Sequence, residues 1–125
     1  MPPVENIFMA QHTSSEPAIV VQKAYDLVLW LVPKLEKFPK QHRFTLGQRM
    51  FDTALDLLSS LVESAYTPEK GPMLRTASRK TNVLRYLLRL AKDLKLMTLD
   101  SYGHASGRID EVGRMVGGWQ KAARA

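Results

Sequence analysis

Apolar residues recur along the chain at alternating spacings of three and four, the period of a helix with one face against a core. Val20, Ala24, Leu27, Val28, Leu31 and Leu35 form the first such stripe and predict a helix over about Ala18 to Lys37, with Pro17 suited to its first turn. Pro33 removes one backbone donor but should kink that helix and not end it, because Leu35 continues the stripe. Phe38-Pro39 then closes it. A second stripe (Met50, Ala54, Leu57, Leu58, Leu61, Ala65) predicts a helix from Thr45 to Tyr66, with Asp52, Asp56 and Glu63 opposite. Thr45 and Gln48 stand at the spacing of a capping box at its start.

The stretch 67–72, Thr-Pro-Glu-Lys-Gly-Pro, is a turn by composition. A third helix follows over about Met73 to Leu96, with small or apolar residues at 74, 77, 81, 84, 88 and 91. Thr98 caps a fourth, whose stripe is Tyr102, Ala105, Ile109, Val112, Val116 and Trp119. No segment alternates with the period of a strand. Four helices of about 30 to 36 Å joined by short loops must lie antiparallel, which predicts an all-α, up-down-up-down four-helix bundle over residues 17–125. Residues 1–16 show no sustained period and read as a loose N-terminal arm.

Composition narrows the function. With 125 residues and 45% apolar content the chain suits one globular domain. It has no cysteine, which removes disulfides, thiolate metal sites and a cysteine nucleophile. The longest uncharged apolar run, Leu27 to Pro33, falls far short of the roughly 20 residues of a membrane span. No basic segment followed by an apolar one marks a signal peptide, so the expected setting is soluble and cytoplasmic. His12, His42 and His104 have no carboxylate at ligand spacing, and no phosphate loop or Ser/His/Asp set is present. The reading is of a non-enzymatic protein with no metal and no cofactor.

Charge, once located, says more. Lys70, Arg75, Arg79, Lys80, Arg85, Arg89, Lys92 and Lys95 face one acid, Asp93, so this segment carries +7 while the whole chain carries +6. A near-neutral body with one basic element predicts an anionic partner. On a helical wheel Arg75, Arg79, Arg85, Arg89 and Lys92 span about 140° opposite the leucine stripe. Four of these five are Arg, whose planar fork suits phosphate oxygens. No motif that reads base edges accompanies them.

Two features point to self-association. Tyr25, Leu29, Trp30 and Val32 lie outside the first core stripe, where a lone bundle would expose them. Gly103, Gly107, Gly113 and Gly117 lie beside the fourth stripe, and each interior glycine costs about 1 kcal/mol of helix propensity. Either close helix approach inside the bundle or a second contact surface accounts for them.

The run Ala24-Tyr25-Asp26-Leu27-Val28-Leu29-Trp30-Leu31-Val32-Pro33, with Phe38-Pro39 and Phe44-Thr45-Leu46-Gly47-Gln48-Arg49, resembles the first half of four-helix-bundle proteins that include the ribosomal-RNA intervening-sequence proteins. Arg85-Tyr86-Leu87-Leu88-Arg89-Leu90-Ala91-Lys92-Asp93 and Ile109-Asp110-Glu111-Val112-Gly113-Arg114-Met115-Val116-Gly117-Gly118-Trp119 resemble one branch of that group, the accessory variability determinant (Avd) proteins of diversity-generating retroelements. The resemblance spans about residues 18 to 121. It implies a homopentameric barrel of bundles with a basic surface that binds nucleic acid. Its implied partner is the retroelement's reverse transcriptase, assisted in mutagenic copying of template RNA into cDNA. Arg85 and Arg89 match the basic surface by motif; Arg75, Arg79, Lys80 and Lys92 join them by position on the wheel. A generic RNA-associated bundle and a structural adaptor without nucleic-acid binding are the other readings.

Overall fold

In a computed structural model, which describes residues 16–124, four long helices account for most of the chain: α1 (Glu16–Glu36), α2 (Gln48–Tyr66), α3 (Gly71–Asp93) and α4 (Leu99–Arg124). Each packs on two neighbours, α1 on α2 and α4, and α3 on α2 and α4, which closes an antiparallel square around one core. No strand occurs among the described residues. The arm expected over residues 1–16 lies outside them except for Glu16, where α1 begins.

The core is built from the periodic positions. Val20, Ala24, Leu27, Leu31 and Leu35 of α1 are buried against Met50, Ala54, Leu57, Leu61 and Ala65 of α2 and their counterparts on α3 and α4. Four buried hydroxyls interrupt the apolar faces, and each donates to the carbonyl four residues back: Thr53 to Arg49 and Ser60 to Asp56, both at 2.7 Å, Ser64 to Ser60 at 2.7 Å, and Thr81 to Ala77 at 2.8 Å. Small side chains that satisfy their own polar atoms need no partner across the interface, so they can be buried between packed helices.

The connection from α1 to α2 differs from expectation. The helix passes through Pro33 and ends at Glu36, and Phe38 is buried as a plug under the turn. Pro39 then opens a short helical turn, Lys40–His42, which runs through a π-helical segment, Arg43–Gly47, straight into α2. Thr45 therefore lies inside helical backbone, and the expected capping box is absent. Its hydroxyl donates back to the carbonyls of Gln41 and His42, at 3.2 and 3.4 Å, while the Gln48 amide donates forward to Asp52 at 3.0 Å. A cap needs free N–H groups one turn on, and here the preceding helical turn leaves none at this point.

The other ends are better defined. Helix α3 starts at Gly71, inside the segment expected to be a turn, with Pro72 in its first turn where a missing N–H costs nothing. Lys70 donates to the carbonyls of Ser64 and Thr67, both at 2.8 Å, and so caps the end of α2. Helix α3 stops at Asp93, three residues short of expectation. Lys95 adopts φ 63°, with Lys95 N–H donating to Lys92 O at 2.9 Å and Leu96 N–H to Ala91 O at 2.8 Å. That pair of bonds around a left-handed residue is a Schellman motif. Thr98 caps α4 as expected, accepting from the Ser101 N–H at 3.1 Å.

Candidate nucleic-acid interface

Helix α3 carries the expected basic residues on the side away from its buried stripe, but the neighbouring helices answer several of them. Lys80 reaches Asp56 of α2 at 3.2 Å. Arg85 donates through Nε to Asp110 of α4 at 2.9 Å and through Nη1 to Asn82 at 2.6 Å. Lys92 pairs with Asp93 at 3.2 Å and lies 4.9 Å from the centre of the Tyr102 ring. Arg89 meets the same Asp93 only at 3.9 Å, a long exposed pair worth little in water. Arg79 donates to the Thr76 hydroxyl at 3.1 Å. Among the described residues neither Arg75 nor Arg79 has a carboxylate partner.

The wheel of a single helix counts only its own acids. Asp56 and Asp110 project from the two flanking helices and neutralise the edges of the basic face, Lys80 on one side and Arg85 on the other. The uncompensated charge is thereby concentrated on the outer pole of α3, at Arg75, Arg79 and Arg89. Because α4 runs antiparallel to α3, its last turn lies beside the first turn of α3. Arg75 and Arg124 consequently share a cleft of about 390 Å³ with Lys70, Glu69 and Gln120. Arg114 and Lys121 extend exposed positive charge along α4.

The glycines of α4 divide into two kinds. A Cβ on Gly113 would fall 2.5 Å from Arg85 Nη2 and 3.3 Å from Thr81 Cγ2, so this glycine makes room for the arginine that bridges α3 and α4. At Gly103, Gly107 and Gly117 a Cβ would meet nothing within 4 Å. Close approach inside the bundle therefore explains Gly113 and leaves the other three without an internal reason.

The four apolar candidates of α1 also separate. Tyr25 and Leu29 are exposed, Leu29 to 63%. Val32 is half-buried and lines a cleft of about 210 Å³ with Leu35, Phe44 and Phe51. Trp30 is less exposed than expected: its ring lies 4.7 Å from that of His104, with Lys34 Nζ 5.3 Å from its centre. The π-helical segment turns Phe44 outward, 66% exposed, on the same side of the molecule as Val32. An apolar strip thus runs along the α1–α2 edge, away from α3.

Among the described residues no three of His, Cys, Asp or Glu cluster as a metal would require, and no helix is long and apolar enough to cross a membrane. Fold and surface together define an all-helical bundle with one basic helix and one apolar edge. The chain belongs to the bAvd-like family, whose model matches residues 18–123. Its fold is also that of a crystal structure from Bacteroides thetaiotaomicron VPI-5482, a protein of unknown function from the S23 ribosomal protein family. That structure superposes with a TM-score of 0.79 at 14% identity, covering 86% of this chain and 99% of the other. No curated protein matches the chain.

Proposed function

We propose that this protein is a non-enzymatic accessory factor of a diversity-generating retroelement. In this reading it binds nucleic acid through the basic surface of α3 and associates with the element's reverse transcriptase to support mutagenic cDNA synthesis. The observation that carries the reading is the outer pole of α3, where Arg75 and Arg79 have no carboxylate partner among the described residues, in a chain of the bAvd-like family. Arginines left unanswered on one side of a helix suit a chain of phosphates, which they hold without reading sequence. Lys80, Arg85 and Lys92 flank that pole and can exchange their exposed carboxylate partners for phosphate, since such pairs contribute about 1 kcal/mol or less.

The apolar α1–α2 edge supports assembly of several copies, with Tyr25, Leu29, Val32 and Phe44 as the contact, in the homopentameric barrel the family resemblance implies. Trp30 borders that contact. Gly113 supports the internal α3–α4 bridge, and Gly117 remains available to a subunit or to the polymerase. The test is co-expression with the reverse transcriptase encoded in the same element, followed by gel filtration. The two proteins should elute together with several copies of this chain per polymerase. Separate elution of both folded proteins at about 150 mM salt would remove the polymerase from the account.

A further inference from the structure

The outer pole of α3 holds more than charge. Val83, Tyr86, Leu90 and Leu94 recur there at spacings of three, four and four, and all are exposed, although the core stripe on the opposite side is complete without them. Tyr86 is the most exposed of the four at 70%. Among the described residues it has no ring or cation partner. Its helix neighbours one turn away are Asn82 and Val83 on one side and Arg89 and Leu90 on the other. Arg79 lies two turns back, roughly 10 Å along the axis.

From this arrangement we infer that Tyr86 is a stacking platform for an unpaired base, and that the surface therefore takes single-stranded nucleic acid in preference to duplex. The inference rests on the nucleic-acid reading above and specifies its ligand. An aromatic face set between cations is the device by which single strands are held without regard to sequence: phosphates meet the arginines and a base lies on the ring. In a duplex the bases are stacked on one another and their faces are closed to the ring, so only the phosphate contacts remain. Tyrosine suits the role because it offers a broad rigid face with few torsions to immobilise. The polar neighbours argue for a polyanion over a second copy of this chain. Three arginines share the pole with one acid, Asp93, and another copy would bring a net charge of +6 towards them.

The test compares Tyr86→Ala, Tyr86→Leu and Tyr86→Phe with the unmodified protein. The probes are a 12-nucleotide mixed-sequence single strand and the duplex made from it. Alanine substitution of a stacking residue weakens single-strand binding by about fivefold to over a hundredfold, the equivalent of roughly 1–3 kcal/mol per base. Tyr86→Ala and Tyr86→Leu should both show that loss, and Tyr86→Phe should retain the affinity, because leucine keeps apolar area but has no ring. Duplex affinity and the salt dependence of single-strand binding should stay unchanged, since no phosphate contact is removed. Helicity should be unaffected at so exposed a position, and circular dichroism checks it.

If the unmodified protein binds and Tyr86→Ala binds the single strand equally well, stacking is overturned and the nucleic-acid reading stands. Equal losses on single strand and duplex overturn stacking in the same way. A fall in oligomeric mass on Tyr86→Ala would reassign the ring to a protein interface. Absence of binding to either probe by the unmodified protein at about 50 mM salt overturns both readings together.

Discussion

Replacing Gly113 by alanine tests the α3–α4 bridge, because two effects of similar size oppose each other there. An alanine in the middle of a helix is favoured over glycine by about 1 kcal/mol. At Gly113 the new methyl would lie 2.5 Å from Arg85 Nη2, so the guanidinium must swing away and give up Asp110 and Asn82. Both partners are exposed and the arginine is flexible, so that loss is about 0.2–1 kcal/mol. Thr81 Cγ2, at 3.3 Å and on a buried stiff side chain, must also give by a few tenths of an ångström. The sum is close to zero.

Gly107→Ala, where the methyl meets nothing, should keep the full gain of about 1 kcal/mol, or roughly 3–5 °C in Tm for a chain of this size. Thermal melts at one fixed protein concentration make the comparison, because association renders Tm concentration-dependent. An Arg85→Ala background supplies the cycle: with the guanidinium gone, Gly113→Ala should recover most of its propensity gain. Equal stabilisation by Gly113→Ala and Gly107→Ala in the unmodified background would show that Arg85 does not rest on Gly113, and the bridge would have to be abandoned.

Two further outcomes follow from particular residues. Lys95→Gly should stabilise the fold by about 1 kcal/mol in chemical denaturation, since φ 63° strains any side chain and suits glycine; an unchanged midpoint would contradict the Schellman geometry. Leu29→Glu should lower the oligomeric mass measured by light scattering while leaving helicity nearly intact, because it sets a charge in an apolar contact and not in the core; an unchanged mass would move the contact away from the α1–α2 edge.

The helices and their buried sides were legible from spacing alone because a 3.6-residue period ties sequence position to direction. Residues 74, 77, 81, 84, 88 and 91 are all buried, as are Ala105, Ile109, Val112, Val116 and Trp119. What escaped was set by contacts between elements. Thr45 and Gln48 have the spacing of a cap, but Pro39 starts the helical backbone six residues earlier and removes the free donors a cap would satisfy. Spacing puts six cations on and beside one face of α3, yet Asp56 and Asp110, which answer two of them, belong to other helices. The role of Gly113 depends on where the guanidinium of Arg85, a residue of another helix, comes to lie. The exposure of Tyr86, by contrast, follows from the helical spacing, since residue 86 lies off the stripe 74, 77, 81, 84, 88 and 91.

The salt dependence of nucleic-acid binding tests the central claim most directly. Each phosphate contact on a single strand contributes about −0.7 to the slope of log affinity against log salt, because condensed counterions are released. Arg75→Glu and Arg79→Glu together remove the two arginines that have no carboxylate partner among the described residues. If one subunit engages the strand, the slope should become shallower by about 1.4, and by a multiple of that if several subunits do. Affinity should fall for all sequences alike, with helicity and oligomeric mass unchanged. A double variant whose slope and affinity match the unmodified protein would contradict the placement of the nucleic-acid surface on the outer pole of α3.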